Sequence, residues 1–295
     1  MYDCKMISAL IESMRPRQWT KNLLVFAGLI FSQNLFDLHL LLKVILAFGI
    51  FCLLSGAVYL INDVRDLEQD RAHPLKSRRP LPSGRLKVSV AVASAILISA
   101  VALPLAFLLN RNFGLVALSY FSIIVAYSFW LKHIVILDIL AVSCGFVLRA
   151  VAGAAVIDVS ISSWLILCTS FLALFVIMSK RRHELALLGE NSTGHRKVLY
   201  EYTPHLLDQM ISVVTASTVM AYALYTTSTE TVSKFGTRNM VLTLPFVLYG
   251  VFRYLYLVHA KNMGGNPELV FIKDRPMVID ILLYVIVVVT VLYLK

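Results

Sequence analysis

Long apolar runs dominate this chain, each close to the roughly 20 residues that an α-helix needs to cross a bilayer. Nine can be laid out: 22–37, 42–62, 88–109, 113–131, 134–157, 161–179, 207–227, 240–259 and 277–294. The pattern predicts an all-α integral membrane protein of nine transmembrane helices, a single polytopic domain over residues 1–295. The polar stretches between the runs are unequal. Those after the second, sixth and eighth runs are long, about 63–87, 180–206 and 260–276, whereas "FSQNLFD", "NRNFG" and "VIDVSIS" on the other side are short. Connections that are long on one face and minimal on the other predict a site on that face, capped by those loops.

Charge assigns that face to a compartment. Twenty of the 27 lysines and arginines lie in the N-terminal stretch or in the connections that share its side. The positive-inside rule then puts the N-terminus and the active-site loops in the cytoplasm and the C-terminus outside, in a multi-pass protein of the cell (inner) membrane. Only 15% of the residues are charged, against about a quarter in soluble domains. The net charge of +10 therefore reflects topology and an anionic ligand, and nucleic acid is not an expected partner. No apolar segment with a small-residue cleavage site precedes the first run, so no secretory signal is expected. Cys4, Cys52, Cys144 and Cys168 form no CxxC pair, and neither a disulfide framework nor a zinc site is expected.

One polar stretch carries candidate chemistry. It reads "NDVRDLEQD" over residues 62–70, followed by "KSRRPLPSG" over 76–84. If the second helix continues through Asp70 until Pro74 stops it, then Asn62, Asp66, Asp70 and Asp63 fall at about 0°, 40°, 80° and 100° around its axis. Four oxygen-bearing side chains then share one quarter of the circumference, while Glu68 and Arg65 point elsewhere. Carboxylates so crowded repel one another unless a cation sits between them. Hard oxygen ligands without His or Cys favour Mg²⁺, which takes one or two carboxylates together with waters and phosphate oxygens. Lys76, Arg78, Arg79 and Arg85 follow at once, and arginines suit two-pronged contacts to phosphate. The alternative is a solvated helix end with ordinary salt bridges.

The string NDxxDxxxD, with "KSRRPLPSG" behind it on a nine-span chain, resembles the UbiA superfamily of intramembrane prenyltransferases. The resemblance implies a UbiA-like bundle that uses Mg²⁺ to hold a diphosphate. The aromatic prenyltransferases of that superfamily carry a DxxxD after the sixth span. Here that region reads "MSKRRHELALLGENSTGHRKVLYEYTPHLLDQM", in which Asp208 is the one aspartate. The strings "MRPRQWTKNLLVFAGLIFS", "AYSFWLKHIVILDIL", "SKRRHEL" and "YTPHLLDQM" are similar to one branch, the decaprenyl-phosphate phosphoribosyltransferases. That likeness implies phosphoribosyl pyrophosphate as the donor, a polyprenyl phosphate as the acceptor and release of pyrophosphate. It also implies a product feeding arabinose-type donors for the cell envelope. Asn62, Asp66 and Asp70 would then be the metal ligands, with Asp63 either a ligand or an orienter.

Other residues have two readings each. Lys21 is a phosphate contact or an interfacial anchor beside Trp19. Lys180, Arg181 and Arg182 are substrate contacts or a topology signal. Tyr202 and Asp208 stand where the second aspartate-rich region would be. Tyr127 and Lys132 bracket the turn before the fifth span, and Asp138 is a functional group or the partner of Lys132. Arg149 lies about 22 Å along its helix from residue 134, too deep for the cytoplasmic pocket. Two rival functions remain open from the sequence: an aromatic prenyltransferase using a polyprenyl diphosphate, and a transporter of an anionic solute. A transporter would gather its ionisable residues near the midplane.

Overall fold

The computed structural model describes residues 2–188, 197–261, 263, 265, 270 and 273–293. The helices are α1 (Tyr2–Ser13), α2 (Ala27–Phe31), α3 (Leu38–Arg65), α4 (Leu67–Ala72), α5 (Val88–Leu109), α6 (Arg111–Phe129), α7 (Leu137–Val156), α8 (Ser163–Leu188), α9 (Pro204–Thr227), α10 (Thr229–Phe235), α11 (Leu244–Ala260) and α12 (Arg275–Tyr293). Their starts follow local chemistry. Asp37 caps α3 by accepting from the Leu40 N–H, Asn110 caps α6 through Asn112 and Phe113, and Thr203 caps α9 ahead of Pro204. Each side-chain oxygen satisfies an amide that the first helical turn leaves without a partner.

Eight helices among the described residues are long and apolar enough to cross a membrane, and the protein is a multi-pass membrane protein. The expected first span, 22–37, is not among them. Its chain is a 3₁₀ segment, Pro16–Phe26, that runs into the five-residue α2. The cause is close packing on α7. A Cβ on Gly153 would fall 1.8 Å from the Val25 carbonyl oxygen, and one on Gly28 would fall 2.6 Å from the Ala154 amide. Backbones that near exclude any larger residue at either glycine, and the narrow 3₁₀ coil suits the contact.

Two other boundaries also differ from expectation. The second helix does not run unbroken to Pro74: α3 ends at Arg65, Asp66 takes up φ −96° and ψ 10°, and α4 resumes at Leu67. Lys180, Arg181 and Arg182 do not open a loop, because α8 carries them within its last three turns.

The chain groups into two compact units, Met1–Ile161 with Ser192–Val198, and Ser162–Asn191 with Leu199–Lys295. Phe51 lies at the centre of the first, its ring 5.8 Å from Phe113 and 5.1 Å from Tyr120. In the second, Phe175 packs on Tyr254 with ring centres 5.2 Å apart, and the Tyr222 hydroxyl lies 2.6 Å from that of Thr243. Lipid tails remove most of the hydrophobic drive between spans, so such packing and polar contacts hold the helices together.

Candidate active site

The acidic stretch of the first unit is a buried mesh of ion pairs. Asp63, on the last turn of α3, is 1% exposed, and Asp70, on α4, is 3% exposed. Arg15 pairs with Asp63 Oδ1. Arg79 Nη1 donates to Asp70 Oδ2 at 2.6 Å and stands 3.5 Å from Asp63 Oδ1. Lys76 Nζ lies 3.8 Å from Asp70 Oδ1. Asp66 pairs with Lys132, a lysine only 2% exposed in the short 3₁₀ turn Leu131–His133 between α6 and α7. Taking such charges out of water is costly unless each has a close opposite charge, and here every carboxylate of the mesh has one.

Several devices hold the basic side in place. His73 Nδ1 accepts from the Leu75 and Lys76 amides and turns the chain after α4. Leu81 and Leu86 are buried with Ala9, Met14 and Leu60 and anchor the loop that bears Arg79. Arg85 forks onto both carboxylate oxygens of Glu12 at 2.8 and 2.9 Å and also donates to the Arg78 carbonyl. That hydrogen bond holds the Glu12 carboxyl below the usual carboxylate range. Arg15 has φ 55° and ψ 63°, a left-handed conformation that residues other than glycine seldom adopt. Its guanidinium stacks over Tyr59, 4.6 Å from the ring centre. The Tyr59 hydroxyl donates to Gln18 Oε1 at 2.6 Å, and Lys21 Nζ donates to the same oxygen at 3.3 Å. Side chains thus link Lys21, Gln18, Tyr59, Arg15, Asp63, Arg79, Asp70 and Lys76 in sequence.

The mesh brings together Asp63, Asp66, Asp70, Lys21, Arg79 and Lys132 of the expected site residues. Asn62 lies on the same turn as Asp63, and its carbonyl accepts from the Asp66 amide at 2.9 Å. Arg78 extends its side chain to solvent, and Tyr127 and Asp138 are buried on α6 and α7. Arg149 lies apart from the mesh. It donates to Asn22 Oδ1 at 2.7 Å, the Gly145 carbonyl at 2.7 Å and the Tyr120 hydroxyl at 2.8 Å. It therefore ties the 3₁₀ segment to α6 and α7. Arg15, Gln18 and Tyr59 were not legible as site residues. Their only signal was an arginine ahead of a proline in a polar patch, and arginines there ordinarily report topology.

Among the described residues no group of three His, Cys, Asp or Glu side chains stands together as a ready cage for an ion. Mg²⁺ does not require one, since it binds through one or two carboxylates and completes its shell with water and phosphate. Two observations fit it. Asp63 Oδ2 is buried with no hydrogen-bond partner among the described residues. Asp63 and Asp70 also converge on one cationic nitrogen, Arg79 Nη1, so the two carboxylates together draw a positive charge.

The second unit contributes a different cluster. On α8, Arg181 is buried and donates to Glu184 at 2.6 Å, while Arg182 forks onto Asp208 of α9 at 2.9 and 3.4 Å. His259, on α11, lies 3.5 Å from the same carboxylate. Lys180 is half-buried on α8, and Tyr202 is buried just ahead of α9. Arg253 forks onto Asp274 at 3.0 and 2.8 Å, which holds that carboxyl below its ordinary range while it caps α12.

The chain is 35% identical over 281 residues to a decaprenyl-phosphate phosphoribosyltransferase of Mycolicibacterium smegmatis, covering 92% of this chain and 88% of that one. It is 32% identical to the protein of the same name from Corynebacterium glutamicum, covering 97% and 87%. The fold is that of a UbiA homolog from Archaeoglobus fulgidus bound to GPP and Mg²⁺, with TM-score 0.72, 19% identity and coverage of 96% and 99%. Residues 22–273 match the UbiA prenyltransferase family, and the chain belongs to that family.

Proposed function

We propose that this protein is one polytopic enzyme that transfers a 5-phosphoribosyl group from phosphoribosyl pyrophosphate to a polyprenyl phosphate of the decaprenyl type, releasing pyrophosphate. The observation that carries this reading is the likeness, over about nine-tenths of the chain, to decaprenyl-phosphate phosphoribosyltransferases. The charge distribution supports it. The first unit gathers three aspartates where α3 gives way to α4, whereas the region of the second unit where aromatic prenyltransferases carry a second acidic pair has Asp208 already engaged by Arg182.

In this reading Asn62, Asp66 and Asp70 would hold Mg²⁺, with Asp63 a further ligand or the group that orients them. When bound, the metal supplies a Lewis acid for the departing pyrophosphate. The protein's own side chains do the rest. Arg79, Lys76, Lys132 and Arg15 exchange their carboxylates for diphosphate oxygens, and Lys21 adds a further positive charge at the edge of the mesh. Arg78, from the exposed side of the loop, contacts the donor's phosphates as they enter. Tyr127 borders the ribose. Lys180, Arg181, Arg182, Tyr202 and Asp208 serve the lipid phosphate or the ribose hydroxyls.

A phosphate monoester is already an anion, so the step needs no strong general base. The bond between the anomeric carbon and pyrophosphate breaks as the lipid phosphate oxygen bonds to that carbon. Positioning and charge stabilisation supply the catalysis. The excess of basic residues on the N-terminal side supports a site that faces the cytoplasm.

The test is transfer of label from ribose-labelled phosphoribosyl pyrophosphate into the lipid phase by purified protein. The expected result is a labelled lipid with Mg²⁺ and none after chelation. Failure of that transfer, with turnover of an allyl diphosphate and an aromatic acid, would establish the prenyltransferase instead. Mg²⁺-independent flux of an anion in proteoliposomes, with no product, would establish the transporter.

A further inference from the structure

The turn between α6 and α7 brings Lys132 to Asp66 through a backbone conformation that its sequence does not favour. Among the described residues, four other than glycine have positive φ: Arg15, Gln33, Ile136 and Asp158. Ile136 alone of these is β-branched, and a branched Cβ at positive φ crowds the backbone. Its φ of 70° and ψ of −45° lie outside the left-handed helical basin, near the rare and strained γ-turn. Such a conformation persists only where its surroundings over-determine it, and residues of this kind cluster at functional sites.

Two features hold the turn. The Ile136 carbonyl accepts from the Ile139 and Leu140 amides at 3.0 and 2.9 Å, which starts α7 where no side chain caps it. The side chains also sort by side. Lys132 and Asp138 are buried, whereas Trp130, Ile134, Ile136 and Leu137 are exposed. The turn joins two membrane-crossing helices, so these apolar side chains lie at the lipid boundary, where tryptophan commonly anchors a chain. A lysine at that level ordinarily extends towards the headgroups. Lys132 turns inward instead.

We infer that Ile136 is a positioning residue for the transfer reaction: its strained backbone, anchored on the lipid side, fixes the turn so that Lys132 faces Asp66 and not the headgroups. The inference rests on the phosphoribosyl-transfer reading for the reaction served, while the placement of Lys132 is measured apart from it. Glycine takes the same φ and ψ without crowding, but it leaves the turn free to open and puts no side chain in the lipid.

Lysine reactivity tests this. Full-length protein in phosphatidylcholine nanodiscs is treated with sulfosuccinimidyl acetate, a water-soluble amine reagent, and acetylation is mapped by mass spectrometry. Lys132 should react slowly in the parent and about tenfold faster in Ile136→Gly, with the exposed Lys87 unchanged as reference. The melting temperature should stay near that of the parent, since relief of strain opposes the freedom gained by the unfolded chain. Equal protection of Lys132 in both proteins overturns the inference, and rapid acetylation of Lys132 in the parent overturns it without any variant. Should the glycine variant not fold, Ile136→Ala must raise the reactivity of Lys132, and no rise overturns the inference.

Transfer is measured on the same samples. Ile136→Gly should lower kcat/KM for phosphoribosyl pyrophosphate by about tenfold, the scale on which a small misplacement acts. In a Lys132→Met background the same glycine should lower it no further, because Ile136 acts through Lys132. An equal further loss would show a merely structural role and overturn the inference. Transfer by the parent with Lys132 equally protected in both proteins defeats this inference alone, whereas the expected reactivity without any transfer sustains the placement and defeats the catalytic reading.

Discussion

In the first unit Asp63 and Asp70 are buried and Asp66 half-buried, and cations come to them from three directions: the N-terminal stretch, the loop after α4 and the turn before α7. In the second unit Asp208 is 40% exposed at its side chain, and one arginine and one histidine hold it. The first arrangement contributes little net folding energy, because desolvation offsets much of the attraction in a buried pair. Its value is readiness. Carboxylates and cations already share one place, so a magnesium diphosphate can exchange with the existing pairs, metal to carboxylate and phosphate to guanidinium. The second arrangement pairs one carboxylate with one arginine and one histidine, a smaller gathering of opposite charges than the first.

The comparison breaks most visibly at Asp66. Asp66→Ala should cut phosphoribosyl transfer by a factor of about 10² to 10³ or more, the scale on which losing one charge stabiliser acts, and, because it leaves the buried Lys132 without its carboxylate, it should lower the melting temperature without unfolding the protein. An active Asp66→Ala protein would remove the aspartates from the mechanism.

Next in size is Arg15→Gln, which leaves Asp63 with Arg79, 3.5 Å away, as its remaining cation and should cost about 1–3 kcal/mol of stability by thermal or denaturant unfolding. Adding Asp63→Asn to that variant should restore part of the loss. If the double variant is no more stable than Arg15→Gln, the two groups are not a coupled pair.

Arg149→Lys should cost about 2 kcal/mol, since a lysine cannot serve Asn22, Gly145 and Tyr120 at once. The same unfolding assay reads it, and an unchanged stability would show that these hydrogen bonds do not hold the 3₁₀ segment on α7.

The smallest effect is expected at Glu12. Its carboxyl is held low by Arg85, so the pair stabilises the fold fully above the unfolded carboxylate range. That contribution fades as pH falls through the lowered value. The pair is half exposed, and screening keeps its contribution under about 1 kcal/mol. Glu12→Gln should flatten stability between roughly pH 5 and 3, and an unaltered acid profile would exclude the pair.

How far the sequence anticipated this varies with sequence distance. Eight of the expected spans stand because twenty-residue hydropathy survives any detail of packing. The run 22–37 is instead a 3₁₀ segment leading into α2, where Gly28 and Gly153 bring two backbones together, a contact that hydropathy does not register. The acidic face was readable because Asn62, Asp63, Asp66 and Asp70 are local and helical spacing relates them. Their partners were not, since Arg15 lies 48 residues before Asp63 and Lys132 lies 66 after Asp66. Among positive-inside charges nothing distinguishes a site arginine from a topological one. Asp66 also interrupts the helix that helical spacing treats as continuous, yet the i to i−4 hydrogen bonds from its amide to Asn62 and from the Asp70 amide to its carbonyl persist at 2.9 and 2.8 Å.

The central claim is that the aspartates hold the sugar's diphosphate and the lipid is the nucleophile. A double-label reaction tests it most directly. Purified protein receives phosphoribosyl pyrophosphate labelled in the ribose, polyprenyl phosphate labelled in the chain, and Mg²⁺. The account predicts a single lipid product carrying both labels, with one pyrophosphate released for each. Both labels remaining in separate molecules, while a polyprenyl diphosphate is consumed in the presence of an aromatic acceptor, would contradict it.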